Sequence, residues 1–180
     1  WNAYDHILFI IVLTIPYTFA SWKRLLTLVT VFTVGHTISL SLAAYGVVKI
    51  NTTLIELLIP VTILITALYN IFTAGKKGRK EKVGVYLIVA LFFGLIHGFG
   101  FSTYFKMMTA STEAKFLPLL EYTLGIEASQ IIIVLLVLIV SFIGQFIFRF
   151  SIRDWVMVIS AVVIGVAIPI FRNALIALNI

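Results

Sequence analysis

Three histidines and a few carboxylates are the residues of this chain best suited to chemistry. The histidines are His6, His36 and His97, and Asp5 and Glu127 are the carboxylates of greatest interest. Imidazole and carboxylate groups are ligands for divalent ions such as Zn, Ni, Co, Mn or Fe. Cysteine is absent and methionine occurs only three times, which disfavours a soft Cu(I) site. These residue types therefore indicate a nitrogen and oxygen site for a divalent metal, provided that the fold brings them together.

The elements that must position these side chains are membrane helices. The chain has 180 residues, of which 62% are hydrophobic and only 11% are charged. A soluble domain carries about 25% charged residues, so too few polar side chains remain here to cover a water-facing surface. A membrane span needs about 20 mostly apolar residues. The composition predicts one all-α domain over residues 1–180, a polytopic bundle of about six transmembrane helices with short loops.

The apolar runs predict where the spans lie. We expect them at about residues 4–20, 25–48, 54–74, 83–105, 117–148 and from residue 155 to the end. Nine lysines and arginines lie in the first, third and fifth turns, including the basic segment 76–82, and four lie on the other side. The positive-inside rule places the odd turns in the cytoplasm and both termini outside. The net charge of +6 therefore reflects membrane orientation, and nucleic acid is not an expected partner.

The topology predicts that the histidines share one depth. His36 lies 12 residues before the outer end of its span, His97 lies 8 before, and Glu127 lies 10 after. At 1.5 Å per residue these positions are roughly 12–18 Å deep. Asp5 and His6 open the first span from the same side. Polar groups are costly within a bilayer, and their convergence in the outer half on four helices favours a metal site.

Neighbouring residues could orient these ligands by hydrogen bonds. Helical spacing places Thr33 and Thr37 near the face of His36, and Thr123 and Gln130 on the face of Glu127. Gly94 and Gly98, on either side of His97, form a face of small residues. Such a face lets a second helix approach closely, which would help to bring His97 near its partners.

Simpler interpretations of the same residues remain open. A single membrane histidine is usually a hydrogen-bonded packing residue. Asp5 could cap the start of a helix, and Glu127 could pair with Arg172 on the last span. The basic segment 76–82 could be only a solvated turn.

Four short motifs resemble those of the HupE/UreJ family. Asp5-His6-Ile7-Leu8-Phe9 resembles its Asp-His-hydrophobic-Phe signature, and the run from Leu25 to Leu40 resembles its second-helix motif ending in His-Ser/Thr-x-Ser/Thr-Leu. Gly94-Leu95-Ile96-His97-Gly98-Phe99-Gly100-Phe101 and Leu124-Gly125-Ile126-Glu127-Ala128-Ser129-Gln130 resemble two further motifs. The four stand in the family order. The chain departs from the family in having Tyr122-Thr123 where Phe-Asn is common.

The resemblance implies a multi-pass protein of the bacterial inner membrane that handles nickel or related divalent metals. It implies Asp5, His6, His36, His97 and Glu127 as ligands. Transport of a Zn, Ni or Co ion is the function we favour on this basis. One alternative is a membrane-embedded zinc hydrolase in which the histidines hold the metal and Glu127 or Asp5 is the base, assisted by Ser102, Tyr122 or Thr123. Another is a metal-binding partner for metalloenzyme assembly. Besides the bilayer and the metal, a second copy of the chain is a candidate partner.

Overall fold

The computed structural model describes residues 3–75, 83–110 and 114–178, and it is helical without strands over those ranges. Six α-helices follow one another, and a single 3₁₀ turn at Phe19–Ser21 joins the first two. The helices are α1 (Ala3–Thr14), α2 (Trp22–Ala44), α3 (Thr52–Thr73), α4 (Val83–Met108), α5 (Phe116–Phe146) and α6 (Ile152–Ala177). The predicted polytopic helix bundle is confirmed.

The first helix is shorter than the sequence predicts. Five helices, α2 to α6, are long and apolar enough to cross a membrane, whereas the described part of α1 has only 12 residues. The predicted span ran to residue 20, but the α-helix ends at Thr14, just before Pro16. Proline lacks a backbone N–H and disfavours helical geometry in the residue before it. The predicted span was too long because the apolar run continues past Pro16, where the helix has already ended.

The other helix bounds agree with the predicted spans to within a few residues. The largest shift is at the end of α2, which stops at Ala44 rather than near residue 48. Gly46 follows with a φ of +73°, a left-handed conformation that commonly terminates helices. The basic segment 76–82, which contributed most to the predicted orientation, lies outside the described residues. The sidedness of the bundle therefore stays a prediction.

Side-chain caps fix the starts of two helices at opposite ends of the bundle. The carbonyl oxygen of the Asn51 side chain accepts a hydrogen bond from Leu54 N–H at 3.2 Å and caps α3. Ser151 Oγ accepts one from Asp154 N–H at 3.1 Å and caps α6. Each cap satisfies one of the N–H groups that a helix start leaves without an intrahelical partner.

The bundle is organised around the pairs α2–α4 and α3–α6. The helix α1 lies against α3 and α5, and the apolar core includes residues of all six helices. The end of α2 meets the start of α5, where Lys115 Nζ donates to Ala44 O at 2.9 Å. The starts of α1 and α3 and the end of α6 line one cleft. These contacts are the ones that an alternating up-and-down bundle requires.

Candidate metal centre

Glycines hold α2 and α4 in direct backbone contact. A Cβ built on Gly94 would lie 2.1 Å from Phe32 O, and one on Gly98 would lie 2.2 Å from His36 O. A Cβ on Gly35 would meet Leu91 O at 2.3 Å. No larger residue fits at these separations, so the predicted close approach at Gly94 and Gly98 is confirmed. Its consequence is that His36 and His97 lie side by side on two helices that touch.

The three histidines meet between α1, α2 and α4. The ring centroid of His6 is 5.1 Å from that of His36 and 4.9 Å from that of His97. The nearest ring nitrogens are the Nδ1 atoms of His6 and His97, which lie 3.4 Å apart. The sequence therefore predicted correctly that these histidines come together.

Aromatic side chains enclose this histidine cluster. Phe32 and Phe101 pack edge-on against the His6 ring, at centroid distances of 5.5 and 4.7 Å. Phe9 lies 5.0 Å from the His97 ring. His36 and His97 are both 0% exposed. The cluster is a group of polar rings within an apolar shell, where burial of an imidazole nitrogen without a hydrogen bond costs free energy.

Among the described residues, several ring nitrogens in the cluster find no hydrogen-bond partner. They are both nitrogens of His36 and Nε2 of His6, and all three are buried. Most buried polar side-chain atoms in proteins have a partner, so orphaned ones call for an explanation such as an ion or a water.

Thr62 on α3 provides the one hydroxyl contact to the imidazole rings among the described residues. Its Oγ1 lies 3.1 Å from Nε2 of His97 and 2.7 Å from the carbonyl oxygen of Ile59. The sequence does not mark Thr62 as a site residue, because a lone threonine in an apolar span carries no motif. Its place in mid-span, in an otherwise apolar stretch of α3, was the available signal.

The two carboxylates point away from the histidines. Glu127 Oε1 accepts a hydrogen bond from Thr30 Oγ1 at 2.7 Å on the α2–α5 side, and in the described part of the chain no ion pair joins it to Arg172. Asp5 lines a cleft of about 550 Å³ between α1, α3 and α6, together with Glu56 and Asn173. The fold thus places the two carboxylates on different faces of the bundle.

The polar residues predicted to orient the ligands pair mostly with one another. Thr33 Oγ1 donates to Gln130 Oε1 at 2.9 Å, and Thr37 Oγ1 lies 3.2 Å from Thr123 Oγ1. These contacts join α2 to α5 beside the Thr30–Glu127 bond. Ser102 Oγ donates to Phe99 O within its own helix at 2.7 Å. The Thr33–Gln130 and Thr37–Thr123 contacts tie α5 to α2, the helix that carries His36.

The described histidine and carboxylate side chains do not form a closed set of metal ligands. Within residues 3–75, 83–110 and 114–178, no group of three or more histidines, aspartates or glutamates is positioned to hold a metal ion. The imidazole rings instead pack edge to face. Only the His6–His97 pair brings ring nitrogens to within 3.5 Å of each other.

Fold and cluster together define a polytopic helical membrane protein with a buried group of histidines. The family model described as HupE / UreJ protein matches residues 1–174, and the chain belongs to this family. The family is generally linked to nickel and cobalt transport. Neither the curated proteins nor the solved structures contain a match to the chain.

Proposed function

We propose that this protein transports a divalent transition-metal ion and that His6, His36 and His97 bind the ion on its way through the bundle. The observation that carries the proposal is the meeting of three imidazoles from three helices with three orphaned ring nitrogens. A metal ion can take one nitrogen from each imidazole, whereas an apolar core satisfies none of them. Family membership supports the same conclusion.

The number and type of the donors favour a tetrahedral ion. Three imidazoles with an open fourth position are a common ligand set for tetrahedral Zn(II). Among the ions considered, Zn(II) and Co(II) accept this geometry readily, and nickel would require a rearranged site.

Asp5 and Glu127 would supply negative charge to balance the charge of the bound ion. A dication in a low-dielectric site needs such compensation. Asp5 lies one residue from His6 and shares its cleft with Glu56, so two carboxylates line the mouth of that cleft. Such a cleft raises the local concentration of cations. Glu127 would contribute from the α2–α5 side, where Thr30 holds it.

The proposed setting is the bacterial inner membrane, with the cleft facing outward. Five membrane-length helices support a membrane location, and the basic turns support cytoplasmic placement of the opposite end. The ion would be taken up at the outer cleft and released toward the cytoplasm. The histidine cluster between α1, α2 and α4 would bind the ion on the way between these two points.

The first test is metal content together with uptake. Purified wild-type protein should retain a metal ion after loading with Zn(II) or Co(II), and His36→Gln combined with His97→Gln should abolish retention. Vesicles containing the wild type should accumulate the ion, and those containing the double variant should not. Gln145→Ala is the matched control, since Gln145 bonds Ser141 near the C-terminal end of α5 and, among the described residues, makes no bond to a histidine.

The same experiment separates the competing functions. Stoichiometric metal without uptake would contradict transport and favour the embedded hydrolase or the assembly partner. Unfolding on removal of the metal would indicate a structural ion. Absence of metal from the wild type after loading would overturn the proposed site altogether.

A further inference from the structure

The contact between Thr62 and His97 fixes which nitrogen of His97 carries a proton. Thr62 Oγ1 lies 2.7 Å from the carbonyl oxygen of Ile59. A carbonyl cannot donate, so the single hydroxyl hydrogen of Thr62 must lie between these two oxygens. The distance is the usual one for an O–H···O bond. The Thr62 oxygen is therefore left to act only as an acceptor toward His97.

An acceptor at 3.1 Å requires a donor on the imidazole side. Nε2 of His97 must then carry the hydrogen in the neutral ring, and the lone pair must lie on Nδ1. That Nδ1 is the atom facing Nδ1 of His6 at 3.4 Å. The side of the ring that faces the cluster is thus the side that is able to bind a cation.

We propose that Thr62 is a positioning residue that holds His97 in the Nε2–H tautomer and so presents Nδ1 to the metal. This inference rests on the proposed metal site and adds a residue from α3 to it. Metal-binding histidines commonly donate their second N–H to a protein acceptor, which sets the tautomer and the ring orientation. Here the acceptor is a hydroxyl whose own hydrogen is already committed to the backbone.

The chain offers close controls for this role. Thr62→Val has nearly the same shape but no acceptor, and Thr62→Ser restores the hydroxyl. Thr66→Val is the matched control, because Thr66 lies one turn further along α3 and its hydroxyl donates to Thr62 O at 2.7 Å without contacting a histidine.

The first readout is the tautomer of His97 in the metal-free protein. The chain contains only three histidines, so ¹⁵N labelling of the imidazoles gives three pairs of ring signals, and His97→Gln assigns one pair. Wild type, Thr62→Ser and Thr66→Val should show one protonated and one unprotonated nitrogen, with Nε2 protonated. Thr62→Val should show a mixture of tautomers.

The second readout is the affinity for Co(II), followed by its absorption spectrum. We expect Thr62→Val to weaken binding about 10–100-fold, the usual effect of removing such a partner, while Thr62→Ser and Thr66→Val remain close to wild type. An unchanged His97 tautomer in Thr62→Val would overturn the inference, as would a changed tautomer with unchanged affinity. If the wild type binds no metal, the proposed function fails, and the metal-free spectra alone decide whether Thr62 sets the tautomer.

Discussion

One added methyl group at Gly98 should separate α2 from α4 and disable the histidine cluster. The new Cβ would lie 2.2 Å from His36 O and 2.2 Å from Ser39 Oγ. Ordinary van der Waals contact begins near 3.4 Å, so the helices must move apart by about 1.2 Å at this point. The nearest atom is backbone, which cannot rotate away as a side chain would.

The expected effect of Gly98→Ala is a loss of both stability and metal. Overpacking of this kind costs about 1–3 kcal/mol. A displacement of about 1.2 Å also exceeds the tolerance of about 0.2 Å on metal–ligand distances. We therefore expect a lower unfolding midpoint in detergent and loss of stoichiometric Co(II). The two are measured by circular dichroism during heating and by metal analysis after gel filtration.

Gly125→Ala provides the control, since a Cβ at Gly125 meets nothing within 4 Å. Removing an exposed helical glycine should leave the protein unchanged or stabilise it by up to about 1 kcal/mol. If Gly98→Ala matched Gly125→Ala in both stability and metal content, the glycine contact would not be what sets the distance between His36 and His97.

Three further predictions concern charge, geometry and orientation. Glu127→Gln keeps an acceptor for Thr30 but removes the charge, so metal uptake should fall while the unfolding temperature stays within about 2 °C of wild type; unchanged uptake would remove Glu127 from the site. The Co(II)-loaded protein should show the intense visible absorption of a tetrahedral ion, and a weak octahedral spectrum would contradict a site built from three imidazoles. Because the chain has no cysteine, Val47→Cys and Phe148→Cys can each be labelled singly in intact cells; a membrane-impermeant maleimide should react only with the first, and the reverse result would invert the proposed orientation.

The sequence predicted the helix bundle because hydropathy acts along the chain. It predicted a close helix contact at α4 for a local reason as well, since Gly94 and Gly98 lie on one face of a single helix, but only the structure shows that the partner is α2. The end of α1 was predicted wrongly because mean hydropathy does not reflect the effect of Pro16 on the backbone. The preference of a residue before proline for non-helical geometry would have predicted the end of the helix correctly.

The directions of the carboxylates could not be predicted in the same way. Spacing gives the depth of Glu127, but the rotation of α5 about its axis decides which neighbour it meets, and the structure turns it toward Thr30. Asp5 and His6 are adjacent, so they point about 100° apart on the helix and cannot both face one site without adjustment. Thr62 was missed because its role depends entirely on its distance to His97 in a different helix.

The contact between α2 and α4 also has a consequence for the order of biosynthesis. The two helices are separated in the chain by the whole of α3, and proteins are synthesised from the N-terminus. Membrane helices insert before they pack. The helices that carry His6 and His36 are therefore made before Gly98 has been translated, and until α4 follows nothing fixes the spacing of these helices to it. The cluster is a late product of synthesis, so the early helices must remain stable in the membrane by their hydrophobicity alone, without help from a bound ion.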